Sequence, residues 1–459
     1  MPDFAVVFVP GIIGTELTYQ ADLIWPGKPW EMVVPYTRMA QLTSTTGVAA
    51  RNIIKEYTPF YPIYGRILNH LHDVLGDRVY ECPYDWRLPN EESAKRVAEK
   101  VQEASQKYQN IVIVAHSMGG LISRHYLESG LFDSAPGYKN VSTLITLATP
   151  HYGSPFALAA ALGYRKEEFL SQDQVYDLAS RAEFPSVYQL LPPPNVPFVW
   201  RTDANLEPLD VYGAQGTALL GSGGKKLQQP NLKAAVDFWQ TFKKPANLRY
   251  FCFLGTHHGM INSISVSSNG GQLQAVLPDE ISSSGDGTVP SWSAILCHRQ
   301  SLAVGGDHVG MMGDPQLHST LDQLLGITPA QTLLLQIATA PTISLQPSVV
   351  DVGARFRVLI KFAMSAMSKA IVKGSVHVEP QAGLSLPSAP VFQLPVEMPA
   401  PRTLCLEFAI DAPKVAGFYH VTWSEEDRVQ ATANLIVQSR ERLSETEMMQ
   451  FRKMSENLR

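Results

Sequence analysis

The chain has 459 residues, 45% of them hydrophobic and 17% charged, enough for one large domain with its own core and a smaller one beside it. A formal net charge of −5 with no basic block argues against nucleic acid or another polyanion as a partner. No apolar run approaches the roughly 18 residues that a membrane-spanning helix needs.

From the N-terminus, "MPDFAVVFVPG" lacks a basic leader and enters a β-like run almost at once, which predicts no secretory signal. Strands are predicted at Ala5–Val9, Arg78–Cys82, Asn110–Ala115, Val141–Leu147, Leu248–Leu254 and Ser301–Val304. Helical patterns separate several of them, as in an α/β fold with a parallel sheet. In "PIYGRILNHLHDVLGD", Ile63, Ile67, Leu68, Leu71, Val74 and Leu75 share one helical face, and Gly76 ends it. "NEESAKRVAEKVQEASQKYQ" is a charge-rich amphipathic helix. Beyond His151 the alternation gives way to a Pro-rich stretch, so residues 152–246 are predicted to form a cap inserted after a strand.

After Gly326 the period changes to two. "RFRVLIKF" sets Phe356, Val358, Ile360 and Phe362 against Arg355, Arg357 and Lys361, and "RTLCLEFAID", "GFYHVTW" and "ATANLIVQ" follow. Strands of this kind with Gly/Pro turns predict an Ig-like antiparallel β-sandwich over residues 331–438. Residues 439–459 carry Met448, Phe451, Met454 and Leu458 on one stripe and are predicted to be a terminal helix. Residues 1–330 are assigned to the α/β domain. Cys82, Cys252, Cys297 and Cys405 show no metal-ligand spacing and are predicted to be free thiols, which points to a cytoplasmic protein.

The chemistry concentrates at "IVIVAHSMGGLISRHYL". A serine hydroxyl needs a base to take its proton and a position clear of its neighbours. A sharp strand-to-helix turn exposes Oγ, but it crowds its flanks, so small residues must stand two before and two after the serine. Ala115 and Gly119 meet that requirement around Ser117. In such folds the acid follows a later strand and the histidine follows the last one. "SSSGDGTVP" then offers Asp286 between glycines, and "LAVGGDHVGMM" offers His308. Asp307, adjacent to His308, is a poor orienter of that ring. His298 precedes the last strand, His318 falls inside a helix, and His257 and His258 come too early. His116 and His151 border the serine. The oxyanion would be held by the N–H of Met118 and by a second donor in "VFVPGIIGTEL", first Ile12 and then Ile13.

With these residues assembled, the chain resembles the lecithin:cholesterol acyltransferase-like branch of the α/β-hydrolases, which includes lysosomal phospholipase A2. The resemblance rests on "VPGIIGTEL", "PYDWR" (Pro83 to Arg87), "AHSMGG", "LATPHYGSP", "PSVYQLLP" and "GDGTVP", and spans roughly residues 4 to 320. It implies hydrolysis or transfer of fatty acyl esters through an acyl-enzyme on Ser117, without metal or cofactor. Asp85 and Arg87 are read as a structural ion pair. Met311, Met312, Phe198 and Trp200 are candidates to line an acyl site. A peptidase or amidase with the same triad, and a non-catalytic binding module on the same fold, remain as alternatives. The sandwich would either brace the hydrolase or dock a peripheral membrane surface or protein partner.

Overall fold

The apolar runs expected to be strands form one sheet. β1 (Phe4–Val9), β2 (Val79–Glu81), β3 (Asn110–His116), β4 (Val141–Leu147), β5 (Arg249–Gly255) and β6 (Gln300–Val304) lie in the order β6-β5-β4-β3-β1-β2. All of these pairings are parallel. The computed structural model describes residues 4–327 and 341–441, apart from 59–60, 244–245, 257, 298, 363–370, 386–391, 400–404, 426–427 and 440, together with 448–449. The described residues divide between two units, one of residues 1–25, 38–54 and 68–304, the other of 26–37, 55–67 and 305–459. The domain boundary expected at 330 and most of the expected terminal helix lie outside the described residues.

A parallel sheet is covered on both faces, so its strands carry continuous apolar residues. β1 is buried at all six positions and β3 at six of seven. Each fully buried Val, Ile or Leu contributes about 1.5–3 kcal/mol, which fixes these two strands at the centre of the first unit. The chain leaves β1 for β2 on one side and then crosses to β3 on the other. The carboxyl ends of strands flanking such a reversal form the crevice where open α/β sheets bind ligands. The loop after β1 and the turn after β3 occupy that crevice.

Three helices follow the expected pattern. α1 (Gly65–Leu75) ends at Gly76, whose φ of +63° suits glycine. α2 (Asn90–Ser105) buries Ala94, Val97, Val101 and Ala104 and leaves its charged residues outside. α3 (Met118–Glu128) is buried at every position.

Residues 152–246 form short helices, among them Phe156–Ala161, Gln172–Ala179 and Gln229–Gln240. Their hydrophobic cluster joins Leu158, Tyr188 and Leu232 to Ile261, Ile264 and Val266. The last three residues belong to an element between β5 and Asp286 that the sequence did not predict. A long hairpin stands there, His258–Asn269 with Gln272–Gly285, turned at Gly270 and Gly271 with φ of +57° and +78°. Its signal was present in "GMINSISVSSNGGQLQAVL": period-two alternation on both sides of an Asn-Gly-Gly turn. The hairpin pairs with Val199–Arg201, so this layer is built from two insertions.

In the second unit the period-two segments form two sheets. One orders Thr342–Gln346, Arg355–Lys361 and Cys405–Asp411. The other orders Val349–Asp351, Arg428–Gln438, Gly417–Glu425, Ile371–Ser385 and Phe392–Pro399. Phe356, Val358 and Ile360 from the first and Val378, Val421 and Trp423 from the second share one core, as a sandwich requires. The purely antiparallel expectation needs correction: Val349–Asp351 pairs parallel with the Arg428–Gln438 strand. The edge segment runs that way because it enters beside the last strand instead of returning from it through a hairpin.

Cys82, Cys252 and Cys297 are free thiols. Burial pushes the Cys82 thiol up to about 12, which makes it inert. Among the described residues no helix is long and apolar enough to cross a membrane.

Candidate active site

Ser117 stands at the junction of β3 and α3 with φ 53° and ψ −127°. A non-glycine residue avoids that conformation, at a cost of order 1–3 kcal/mol, unless its surroundings impose it. They do so here. The Ser117 N–H donates to the Leu147 carbonyl at 2.9 Å, and its own carbonyl accepts from Gly120 N–H at 3.0 Å to start the helix. A sharp strand-to-helix turn of this kind sets the serine clear of its neighbours, and the first N–H groups of the helix, here Met118 first, stand beside it.

The two glycines after Met118 are required by close approach. A Cβ on Gly119 would overlap the Pro10 carbonyl oxygen and come within 2.7 Å of that of Val9. A Cβ on Gly120 would overlap the Thr149 hydroxyl and come within 2.6 Å of its methyl group. The elbow therefore packs directly on the loops after β1 and β4.

The loop after β1 is a four-residue turn, closed by Gly14 N–H donating to the Gly11 carbonyl at 3.2 Å. Ile13 within it has a φ of +57°. The "PYDWR" segment holds both flanks: Tyr84 donates to the Pro10 carbonyl at 2.8 Å and the Trp86 indole N–H to the Thr15 carbonyl at 3.2 Å. Asp85 and Arg87 form the expected structural pair, with Nη2 to Oδ2 at 2.6 Å and Nε to Oδ1 at 2.9 Å. Arg87 also donates to the Leu42 and Ser44 carbonyls at 2.6 and 2.9 Å and lies 4.7 Å from the Phe184 ring centre.

Ser117, Ile12, Ile13 and Trp86 line one cavity of about 740 Å³, counting its open mouth. From the serine it extends among Phe156, Ala160, Leu170, Leu178, Val187 and Leu190 of the cap layer, all apolar. The candidates Met311, Met312, Phe198 and Trp200 do not line it, which corrects the sequence reading. Phe198 sits inside the cap's own hydrophobic cluster, Trp200 belongs to the short strand paired with the hairpin, and Met311 and Met312 are buried in the second unit. His116 and His151 are buried but do not line it either. His151 is held neutral by burial and then by Arg124, both of which push it well below the usual imidazole range.

Asp286 is 1% exposed and follows the long hairpin. Its Oδ1 accepts the N–H groups of Thr288 at 2.9 Å and Val289 at 2.7 Å, and both of those residues line the cavity. Gly287 supplies the φ of +96° that this tight turn demands. Thus Ser117, the Ile12–Ile13 turn and the Asp286 turn converge within the first unit. His308 follows the carboxyl end of β6 and belongs to the second unit, half-buried in a turn. Asp307 Oδ1 closes that turn by accepting from Val309 and Gly310 N–H at 3.2 and 2.6 Å, a local role rather than an orienting one. His318 lies within the helix Pro315–Leu324, with Nε2 2.8 Å from the Met312 carbonyl. His258 opens the hairpin, while His257 and His298 lie outside the described residues.

Residues 50–220 match the family model described as Lecithin:cholesterol acyltransferase. Phospholipase A(1) LCAT3 of Arabidopsis thaliana is 23% identical over 328 residues, 57% of this chain and 70% of that protein. Over that span the chain resembles the lecithin:cholesterol acyltransferase-like branch of the α/β-hydrolases. Among solved structures, the Tle4-Tli4 complex aligns at 15% identity over 71% of this chain and 98% of the matched one, with a TM-score of 0.48. The mature lipase BlEst2 of Bacillus licheniformis aligns at 16% identity over 71% and 91%, with a TM-score of 0.34. The family match takes in the hydrolase's elbow, "PYDWR" and "PSVYQLLP", and stops before Asp286 and His308.

The Arg87 cluster gives a stability prediction for this α/β-hydrolase. Arg87→Leu leaves the Asp85 carboxylate without its partner and two carbonyls without a donor. It should cost about 3–5 kcal/mol, read as a fall in the midpoint of urea unfolding. A loss below about 1 kcal/mol would mean the pair is solvated and does not brace the fold.

Proposed function

We propose that the protein hydrolyses or transfers fatty acyl esters of lipids, phospholipids foremost, through an acyl-enzyme on Ser117. The observation that carries this reading is the strained Ser117 turn set in the wall of an apolar cavity. The Arabidopsis relative bears the name of a phospholipase A(1), which supports a phospholipid acyl ester as the substrate class.

In this mechanism His308 takes the Ser117 proton as Oγ attacks the ester carbonyl carbon. The carbonyl oxygen becomes an oxyanion that accepts the N–H groups of Met118 and Ile12, while Asp286 steadies the imidazolium. The C–O bond to the alcohol breaks as His308 returns the proton to the leaving oxygen. Water, or a lipid hydroxyl in the transfer reaction, is then activated by His308 and attacks the acyl-enzyme, freeing Ser117. The acyl chain lies in the cavity among Leu170, Leu178 and Leu190.

A series of p-nitrophenyl esters tests the assignment of the cavity. Each added methylene that leaves water contributes about 0.8 kcal/mol, so kcat/KM should climb by up to about fourfold per methylene from acetyl to butyryl to octanoyl. Acetyl preferred, with a steady fall as the chain lengthens, would mean that the cap closes a small pocket instead. Equal turnover of the matching anilides would move the assignment to an amidase.

A further inference from the structure

The turn after β1 adopts an unfavourable form for its sequence. Gly14 N–H to Gly11 carbonyl closes four residues, and positive φ falls at the third, Ile13, and not at Ile12. That is the signature of a type II turn, in which the third position normally belongs to glycine. A β-branched isoleucine there is strained. In a type I turn the same four residues would be relaxed, with the central Ile12–Ile13 peptide turned over. The Ile13 N–H and the Ile12 carbonyl of that peptide would exchange directions, so that one face of the loop would lose the Ile13 donor and gain an acceptor.

Something must hold the strained form, and Trp25 is placed to do so. Its indole N–H donates to the Ile13 carbonyl at 2.7 Å. The ring is fully buried, edge-on to Trp86 at 5.4 Å between centroids and 6.0 Å from Phe169. Trp25 is delivered by the strand Asp22–Trp25, which folds back antiparallel on Thr15–Tyr19, the continuation of the turn. Tyr84 and Trp86 fix the carbonyls of Pro10 and Thr15 on either side. The hydrogen bond from Trp25 is the one that acts on the strained residue itself.

We propose that Trp25 is a positioning residue for the oxyanion loop, anchoring the Ile13 carbonyl and so holding in place the turn whose Ile12 and Ile13 N–H groups are the candidate donors beside Ser117. The inference rests on the proposed ester chemistry and deepens it, since Ile12 and Ile13 line the same cavity as the serine. Trp25 touches no reacting atom in this account. It acts through the turn, so its loss should impair stabilisation of the oxyanion and leave binding of the acyl chain alone.

The test compares Trp25→Phe, Trp25→Phe with Ile13→Gly, and the unsubstituted parent chain on p-nitrophenyl octanoate. Trp25→Phe is expected to lower kcat by about 10- to 100-fold, with KM within about threefold. Glycine at position 13 adopts positive φ without strain, so the double variant should regain at least about fivefold of the lost kcat. Replacing Trp25 with benzothienylalanine keeps the ring shape and removes only the N–H donor. It should reproduce the loss should Trp25→Phe fold poorly. A kcat within about twofold of the parent for either replacement of Trp25 overturns the proposal, as does a double variant no faster than Trp25→Phe. Failure of the ester assignment itself has a different signature: Ser117→Ala would retain turnover while the parent remained active.

Discussion

Ser117→Ala should lower ester turnover by about 10⁴-fold or more while the protein stays folded. The hydroxyl is the only group removed. The unfavourable backbone at φ 53° is imposed by β3 and α3, so the substitution neither adds nor relieves much strain. Stability should change by less than about 1 kcal/mol, as expected for a small side chain replaced without a cavity. His308→Ala should be about as damaging, because a serine without its base is a poor nucleophile at neutral pH. Asp286→Asn should cost somewhat less, since the acid orients the ring and steadies its charge without entering the bond changes. Near-normal turnover of His308→Ala together with loss in His298→Ala would reassign the base.

Gly119→Ala is expected to damage both the fold and the reaction. The added methyl would overlap the Pro10 carbonyl oxygen, and backbone on both sides leaves no flexible side chain to yield. Overpacking at such a contact costs about 1–3 kcal/mol, and occasionally more. Relief must come from separating α3 from the loop after β1, and those two segments carry the proposed oxyanion donors. A displacement of about 1 Å there can cost about 10²-fold in rate. The expected result is a folded protein with a lower melting temperature and a kcat reduced by that order. Unchanged kcat would mean that the donors lie elsewhere.

The central sheet was legible because each strand is a run of apolar residues between turn signals; β4 matches its expected bounds, Val141–Leu147, residue for residue. The sharp turn at Ser117 was legible because it restricts its neighbours to small residues, a constraint that the Gly119 contacts explain. The cavity was not legible. Leu178 lines it and Leu162 packs in the adjacent cluster, yet both are leucines in the helical part of the cap, and nothing in their spacing separates a wall from a core. The same ambiguity misplaced Phe198. The long hairpin escaped because serines occupy many of its alternate positions, so its period-two pattern resembles a polar loop. Trp25 gave no signal at all: it reaches Ile13 only through the fold-back of two short strands.

The most direct measurement is the site of covalent attachment of a fluorophosphonate probe, mapped by peptide mass spectrometry on the 459-residue chain. The account predicts one adduct, on the peptide containing Ser117, and none in Ser117→Ala. An adduct on a different residue, or undiminished ester turnover in protein that takes up no probe, would contradict it.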